Sequence, residues 1–418
     1  MFFMIIMRDQ YILGKIREPG DAILDIGRFY ALDSSLGSNI AIDISKPHII
    51  LISGKRGYGK SYTMGVLIEE LSNLKQKIYG NISIIIIDTL GIFWTLAIPN
   101  NREEKLLESW GLKTKTFNLT IYTSQKNIPF YKFLGINVKP LILKPSQFSI
   151  DQWYHIFDIK PTDPFGMILT KAILNLDSDF DLSDIEEWIQ NSEIDEYTKG
   201  VAENFISLAE SWNIFSKNGL EINDLLREDN IVIIDLSGIS DNNLKTGVAG
   251  FIGDKIFDIQ VEKRKQYELY QIGRIDDKSD VSLVWFAIDE AQLFIPRNEN
   301  KLGRRVFIEK WLRQGRQPGL SMILATQHPS LIDQEVLSHC DIILCHRLTS
   351  QNDIDSLSKL RPTYMTEEIK DSMKKIGIER GVTLVIDDIS ESTHIIKIRP
   401  RYSWHGGGEP SIITKKER

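Results

Sequence analysis

The amino-acid sequence predicts an α/β protein built on a mainly parallel central sheet. Apolar runs of strand length alternate with longer helical patterns along about 350 residues, which is typical of an open sheet covered by helices. The run at 82–88 is apolar without alternation, as expected for a strand buried on both faces. Two more core strands are expected at 48–53 and 230–238, and the first leads directly into a glycine-rich loop and a helical pattern.

The other patterns complete the predicted sheet and its helices. Short alternating segments before residue 48 predict a small β element, and the apolar residues 1–7 predict a strand. Helices are expected over 244–265 (about six turns), around 301–316, and in the stretch from the strand at 341–347 to about residue 376. Further strands are predicted at 120–123, 140–144, 281–288, 321–327, 341–347, 381–388 and 393–401.

These elements divide the chain into five segments. The polar breaks and the change to a helical pattern after residue 148 indicate an insertion within the α/β core. The predicted segments are a short N-terminal β element at 1–47, the first part of the core at 48–148, a helical insertion at 149–229, the second part of the core at 230–392, and a C-terminal strand and extension at 393–418.

Composition excludes several classes of protein. The chain has 418 residues, of which 42% are hydrophobic and 26% charged, so it is neither disordered nor fibrous. Its net charge of −7 excludes a surface that is basic throughout, although a local basic patch for nucleic acid remains compatible. No apolar run approaches the roughly 18 residues of a membrane span, and we expect no contact with a membrane.

The two cysteines favour a reducing compartment. Cys340 and Cys345 are too few for a disulfide framework or a four-thiolate metal site. Their odd separation in an apolar run places them on opposite faces of a strand, which makes a bridge between them unfavourable. A cytoplasmic protein is therefore expected.

A phosphate-binding loop is the first motif with a chemical meaning. Residues 54–61, GKRGYGKS, match G-x4-G-K-[ST] between a strand and a helix, where backbone N–H groups wrap phosphates at the helix N-terminus. Lys60 is expected to neutralise β- and γ-phosphate oxygens of ATP, and Ser61 to ligate Mg²⁺. The remaining expected nucleotide contacts are Gly54, Arg56, Gly57, Tyr58, Gly59 and Tyr62.

Polar residues end two later predicted strands, those at 281–288 and 321–327. Asp289 follows an apolar strand, where it can hold Mg²⁺ beside a phosphate loop, and Glu290 is placed to polarise an attacking water. Gln327 ends the following strand, between metal, water and γ-phosphate, where it would sense the state of the nucleotide. The order of loop, acidic pair and glutamine points to a P-loop NTPase with an added strand that carries a catalytic glutamate.

Four stretches resemble the HerA/FtsK group of ATPases. They are GKRGYGKS, FAIDEAQLFIP, WLRQGRQPGLSMILATQHPSLI and KIRPRYSWHGG, and the similarity spans about residues 48–408. The resemblance, which is nearest to HerA-like members, implies a RecA-like core, a hexameric ring with ATP sites between subunits, and a pore for double-stranded DNA. It also suggests Arg316, or else Arg313, as an arginine finger that reaches a neighbour's γ-phosphate.

The chain departs from this group at three places. Ile92 stands where many relatives carry an acid, so Asp88 is left as the acidic residue that can face the nucleotide. Residues 1–47 are short for the β-barrel cap of full-length relatives, which bears on the docking of a nuclease partner. His405 lies where relatives place an extension over a neighbouring ATP site, and a plain surface loop is the alternative.

A basic segment at 301–316 offers one candidate DNA-facing surface. It holds six basic residues and one acid, Glu309, in an otherwise acidic chain. A solvated helix face is the equal alternative. The basic residues are Lys301, Arg304, Arg305, Lys310, Arg313 and Arg316.

Three functions fit these features. The leading hypothesis is a hexameric ATPase that moves double-stranded DNA through its pore. A second is an ATPase of a packaging, conjugation or defence complex, and a third is a nucleotide-dependent scaffold that gathers a partner nuclease. Apart from Asp289 and Glu290 the sequence shows no compact carboxylate cluster, so nuclease chemistry would have to come from that partner.

Overall fold

A computed structural model describes residues 10–14, 22–31, 33–77, 82–227, 229–276, 282–359 and 363–406. The strand predicted at residues 1–7 lies outside these ranges. Among the described residues, thirteen strands form one sheet in the order β1-β3-β2-β13-β12-β11-β4-β10-β9-β5-β8-β6-β7. The strands are β1 (Gln10–Leu13), β2 (Ile23–Tyr30), β3 (Leu36–Asp43), β4 (Ile49–Ser53), β5 (Ile82–Asp88), β6 (Leu119–Thr123), β7 (Asn137–Pro140), β8 (Ile231–Asp235), β9 (Leu283–Ile288), β10 (Leu320–Thr326), β11 (Ile342–Cys345), β12 (Val382–Asp387) and β13 (Ser392–Ile398).

The sheet combines a parallel core with an antiparallel end. The eight strands from β11 to β7 in this order all pair in parallel. β12, β13, β2 and β3 continue the sheet in antiparallel pairs. The α/β class with a mainly parallel sheet is confirmed, and the described N-terminal strands extend this same sheet through the pairing of β2 with β13.

Helices cover both faces of the sheet. Their bounds are α1 (Lys60–Lys77), α2 (Glu104–Ser109), α3 (Ile128–Phe133), α4 (Ile150–Phe157), α5 (Pro164–Asn175), α6 (Leu182–Asn191), α7 (Glu196–Ser211), α8 (Ile222–Arg227), α9 (Asn242–Gln271), α10 (Leu302–Arg305), α11 (Gln334–His339), α12 (Gln351–Ser358) and α13 (Thr363–Lys375). A π-helical turn, Val306–Leu312, continues α10. None of the described helices has the length and apolar composition that a membrane crossing requires.

Two elements predicted from the sequence differ from the structure in their bounds. The strand expected at 140–144 is β7, which ends at Pro140. The Leu141 N–H still donates to the carbonyl of Thr123, and the chain then leaves β6, so that Leu143 forms an isolated bridge with Phe215. The helix expected to have six turns is the 30-residue α9. Gly250 and Gly253 let the segment that follows β9 pack directly on α9, since a Cβ at either position would stand within 3 Å of Leu302 or Phe307.

The core lies in two apolar layers on opposite sides of the sheet. One layer packs α1 against the sheet, and the other packs α4–α9 and the segment around α10 against its opposite face. All seven residues of β5 are buried, as its unbroken apolar sequence predicts. This double cover holds the carboxyl ends of β4, β5, β9 and β10 at one rigid edge, where the candidate site lies.

Candidate functional site

The phosphate loop joins β4 to α1 in the predicted way. Lys60 is the first residue of α1, and Gly57 and Gly59 have φ of 81° and 111°, backbone angles that side chains other than glycine rarely adopt. Lys60 is buried, and its Nζ donates to the carbonyl oxygen of Lys55 at 3.4 Å. Burial lowers the pKa of Lys60 against the raising effect of the acidic pair Asp289 and Glu290.

His346, the residue that follows β11, supports this loop, a role that the sequence did not indicate. A Cβ on Gly54 would stand 2.6 Å from the His346 Cβ, so the loop turns directly against this side chain. The His346 ring lies between the hydroxyl of Thr63, 2.8 Å away, and the carbonyl of Val382, 3.1 Å away. Burial lowers the pKa of His346 to about 4, so the ring is neutral. Its two partners hold the ring in one orientation against the loop.

Asp289 follows β9 and carries a buried oxygen that can hold a cation. Its Oδ1 accepts a hydrogen bond from the Glu290 backbone N–H at 3.1 Å. Its Oδ2 is buried and has no partner among the described residues. Burial, and then the charge of Glu290, raise the pKa of Asp289 to about 7. This orphaned carboxylate oxygen, on a side chain that interacts electrostatically with Lys60, fits Mg²⁺, which prefers carboxylate and hydroxyl oxygen ligands.

Two glutamine side chains donate hydrogen bonds to the carboxylate of Glu290. Gln327 donates to Oε1 and Gln292 to Oε2, each at 2.5 Å. The Gln292 amide oxygen accepts in turn from the hydroxyl of Thr326 at 2.7 Å. Glu290 adopts left-handed backbone angles, φ 53° and ψ 48°, which turn its side chain toward these partners. The structure thus brings Glu290 and Gln327 together, and Gln292 is a partner that sequence reasoning missed.

A cavity of about 880 Å³ opens beside the phosphate loop. Glu290 and Gln327 line it together with Ile92. Of the expected nucleotide contacts, six line this cavity, namely Arg56, Gly57, Gly59, Lys60, Ser61 and Tyr62. Gly54 and Tyr58 are outside this lining, and the Tyr58 ring packs beneath the guanidinium of Arg347.

Asp88 performs a structural task at the neighbouring strand end. Its carboxylate accepts hydrogen bonds from the backbone N–H groups of Leu90, Gly91 and Phe93 at 2.8–3.2 Å. Burial, with smaller contributions from the carboxylates of Asp235 and Asp289, raises the pKa of Asp88 to about 7 against these donors. Asp88 therefore shapes the loop that presents Ile92 to the cavity.

Arg316 lies at the opposite edge of the sheet. It lines a second cavity with His48 and Leu320, at the amino ends of β4 and β10, whereas the phosphate loop follows the carboxyl end of β4. Arg313, three residues earlier, forms a two-pronged ion pair with Glu335 at 2.6 and 2.8 Å. Arg316 therefore lies away from the phosphate loop of its own chain, and Arg313 is engaged in an ion pair.

The basic segment 301–316 is largely paired with acidic residues of other elements. Arg316 is the exception, since it forms no ion pair within the part of the chain that the structure describes. The pairs are Lys301 with Glu299, Arg304 with Asp333, Arg305 with Asp151, Lys310 with Asp254 and Asp258, and Arg313 with Glu335. The segment is therefore a paired helix face, and its charge in the sequence overstates the basic surface that it offers.

The C-terminal segment closes one side of the cavity in the same chain. Pro400, Trp404 and His405 line the cavity, and the His405 ring contacts the Tyr62 ring edge-on with 5.3 Å between centroids. The resemblance had suggested an extension over a neighbour's site, with a surface loop as the alternative. In the structure these residues line the cavity beside the phosphate loop of their own chain.

Comparison with known proteins agrees with this architecture. The family model "Helicase HerA, central domain" matches residues 24–256, and the model "Zonular occludens toxin (Zot)" matches 218–387. A solved structure of VirB4 from Thermoanaerobacter pseudethanolicus covers 91% of this chain and 97% of that one, with a TM-score of 0.59 and 15% identity. This likeness shows the RecA-like fold.

Curated relatives include two proteins described as DNA double-strand break repair helicase HerA. The one from Pyrococcus furiosus is 23% identical over 181 residues, which cover 40% of this chain and 32% of the relative. The one from Sulfurisphaera tokodaii is 20% identical over 407 residues, covering 94% and 73%. The chain thus spans about a third of the length of the first relative. Because the HerA model matches more than half of the chain, the chain belongs to the HerA central-domain family and is a HerA/FtsK-type P-loop ATPase.

Proposed function

We propose that this protein is a hexameric motor that hydrolyses ATP and moves double-stranded DNA through a central pore. The observation that carries the hydrolytic part of the proposal is the contact of Glu290 with Gln327 in the lining of the cavity beside the phosphate loop. In this contact Glu290, the proposed general base for the attacking water, is hydrogen-bonded to the amide of Gln327 at the end of the adjacent strand. The γ-phosphate of an ATP bound to the loop would lie beside these two groups.

The proposed chemistry assigns each polar group one task. Backbone N–H groups of the loop and the Lys60 ammonium bind the β- and γ-phosphates of ATP. Ser61 and Asp289 would hold Mg²⁺, which neutralises charge that develops on the phosphate oxygens. Glu290 accepts the proton of the attacking water while Gln327 and Gln292 orient its carboxylate.

The arginine finger is proposed to act between subunits. A transferring phosphoryl group needs a fixed cation on its outer oxygens. Arg316 lies at the sheet edge opposite its own phosphate loop, so an arginine finger at this position would act on the site of a neighbouring subunit. The absence of an ion pair on Arg316 among the described residues supports this task over the salt-bridged Arg313.

The DNA substrate and the ring are proposed from the family. Two relatives are described as double-strand break repair helicases, and the resemblance of the sequence is to ring-forming translocases. A trans-acting arginine also couples ATP turnover in one subunit to the position of the next. Because the basic residues of the 301–316 segment are largely paired with acidic residues, we expect DNA to contact other surfaces of the protein.

The proposal is tested by the rate of ATP hydrolysis with and without duplex DNA, on material whose mass is measured by light scattering. We expect a hexamer whose turnover rises with linear duplex, and a Glu290→Gln variant that binds ATP without hydrolysing it. A rate that does not respond to duplex, with a partner nuclease assembled in the presence of ATP, would favour the scaffold function instead. A monomer without ATP turnover would refute the motor.

A further inference from the structure

The cavity beside the phosphate loop extends beyond the phosphates. Its volume of about 880 Å³ lies in the range of pockets that enclose a small organic ligand. Tyr62 follows Ser61 directly in the first turn of α1, so its ring stands next to the place where phosphates bind. Pro400, Trp404 and His405 line the same side. The part of a ligand that follows its phosphates meets these aromatic groups.

The aromatic groups are held as a rigid wall. The Tyr62 hydroxyl accepts from the backbone N–H of Arg401 at 2.8 Å and donates to Glu103 at 3.4 Å, which fixes the ring. The His405 ring meets Tyr62 at 5.3 Å, and the guanidinium of Arg102 lies 5.3 Å above the Trp404 ring. Flat aromatic surfaces that need no reordering are well suited to stack on a nucleobase.

His405 offers a defined hydrogen-bond donor at this wall. Its Nδ1 lies 3.3 Å from Nη1 of Arg401, a group that can only donate, so Nδ1 accepts and the proton resides on Nε2. Burial, and then the charge of Arg401, lower the pKa of His405 to about 4, so the ring is neutral at pH 7. A neutral imidazole with one N–H donor matches the ring-nitrogen acceptors of a purine.

A buried ionic network anchors the segment that carries these groups. Glu69 of α1 is fully buried, and its Oε1 accepts from Arg401 Nε at 3.2 Å and from the backbone N–H of Ser403 at 3.0 Å. Arg399 bridges Glu69 at 3.1 Å and Glu70 at 2.8 Å. Buried charges are tolerated only when they are fully paired, so this packing locks the segment onto α1 in one position.

From this geometry we infer that Tyr62, Trp404 and His405 form a nucleobase subsite, supplied in the same chain by its C-terminal segment. The subsite recognises a purine nucleotide by stacking and by one hydrogen bond from His405 Nε2. The inference rests on the proposed function, since it concerns the same ATP site. It adds that affinity for the nucleotide exceeds affinity for its phosphate chain alone.

The test compares equilibrium binding of ATPγS and of inorganic tripolyphosphate to the full chain, with Mg²⁺ present. The variants are His405→Ala and Tyr62→Ala, with Tyr197→Ala, an exposed aromatic on α7, as the matched control. We expect each subsite variant to weaken ATPγS binding about 5- to 100-fold, the range for loss of one stacking partner. Tripolyphosphate affinity should stay unchanged, which also shows that the phosphate loop is intact.

A conservative variant separates the hydrogen bond from the stacking. His405→Gln keeps an N–H donor and loses the ring, so it should fall between wild type and His405→Ala. Equal losses for ATPγS and tripolyphosphate would overturn the inference, because they would show a structural role only. Unchanged ATPγS affinity in both subsite variants would overturn it as well, while the proposed motor would stand. A wild-type chain that binds neither ligand would refute the motor itself.

Discussion

In the proposed mechanism, the two edges of the parallel sheet carry different halves of one chemistry. At the carboxyl ends of the strands lie Lys60, Asp289, Glu290 and Gln327, which can bind a nucleotide and polarise water. At the amino ends lies Arg316, beside a separate cavity. β4 alone separates these edges by roughly 16 Å, the length of a five-residue strand.

In the proposed mechanism, this separation makes the ATP site of a single chain incomplete. Nucleotide binding needs only groups from the carboxyl edge, whereas in the proposed mechanism rapid phosphoryl transfer also needs an arginine finger that a neighbouring subunit supplies. If the amino edge of one subunit packed against the carboxyl edge of the next, an Arg316 would reach the cavity beside each phosphate loop. Binding should therefore be a property of the chain, and turnover a property of the assembly.

The largest effect should follow from removing the cation at the amino edge. Arg316→Ala is expected to lower turnover by about 10³-fold or more while nucleotide affinity changes little. Arg313→Ala is the matched control, since it removes a nearby arginine that is exposed and salt-bridged to Glu335. Steady-state rates and ATPγS binding on both variants give the answer. An Arg316→Ala enzyme at wild-type rate would contradict the division between the edges.

Removing the base at the carboxyl edge should come next. Glu290→Gln keeps the shape of the side chain and removes its charge, so hydrolysis should fall by roughly 10²-fold while ATP still binds. Lys60→Ala should instead weaken binding itself, because the phosphates lose their buried cation. If Glu290→Gln hydrolyses ATP normally, another group is the base.

Two buried aspartates on neighbouring strands should respond differently. Asp289→Asn removes the charge on the oxygen that has no described partner, and the Mg²⁺ concentration for half-maximal turnover should rise about tenfold or more. Asp88→Asn replaces an oxygen that accepts backbone N–H bonds, so the variant should lose about 1–3 kcal/mol of stability. Its Mg²⁺ dependence should stay normal. Titration of Mg²⁺ and thermal unfolding separate the two, and interchanged results would reverse the assignment.

The smallest effect is expected at Gln292. Gln292→Ala leaves Glu290 with the single amide of Gln327, so kcat should fall by about tenfold or less through looser orientation. Gln292→Glu should be worse, because it places a like charge against Glu290. Nucleotide affinity should match wild type in both variants. A Gln292→Ala enzyme with unchanged kcat would show that Gln327 alone positions the base.

The predictable part of the site was the part encoded locally. Lys60 follows its strand and loop in sequence, and Asp289 and Gln327 each end an apolar run, so parallel pairing brings them to one edge. The hydrogen bond from Gln292 to the Glu290 carboxylate accompanies the left-handed backbone of Glu290, which no residue pattern predicts. His346 contacts the loop from a strand almost 300 residues later.

Long-range ion pairing explains the remaining differences between prediction and structure. The sequence left a DNA-facing patch and a solvated helix face as equal alternatives for the segment 301–316, because its acidic partners, such as Asp254 and Glu335, lie on other helices. The position of the C-terminal segment beside the cavity could not be predicted from the sequence either, since it depends on the buried ion pair of Glu69 and Arg401, which are more than 300 residues apart. Charge counts along a sequence do not reveal such partners.

Mixing two inactive variants tests the central claim most directly. Arg316→Ala keeps a sound Glu290, and Glu290→Gln keeps a sound Arg316, so a mixed ring contains some interfaces with both groups intact. With subunit exchange verified by energy transfer between labelled chains, ATP turnover should return in part and peak at intermediate ratios. A rate that stays at zero across all ratios, despite verified exchange, would contradict an ATP site shared between the carboxyl edge of one subunit and Arg316 of the next.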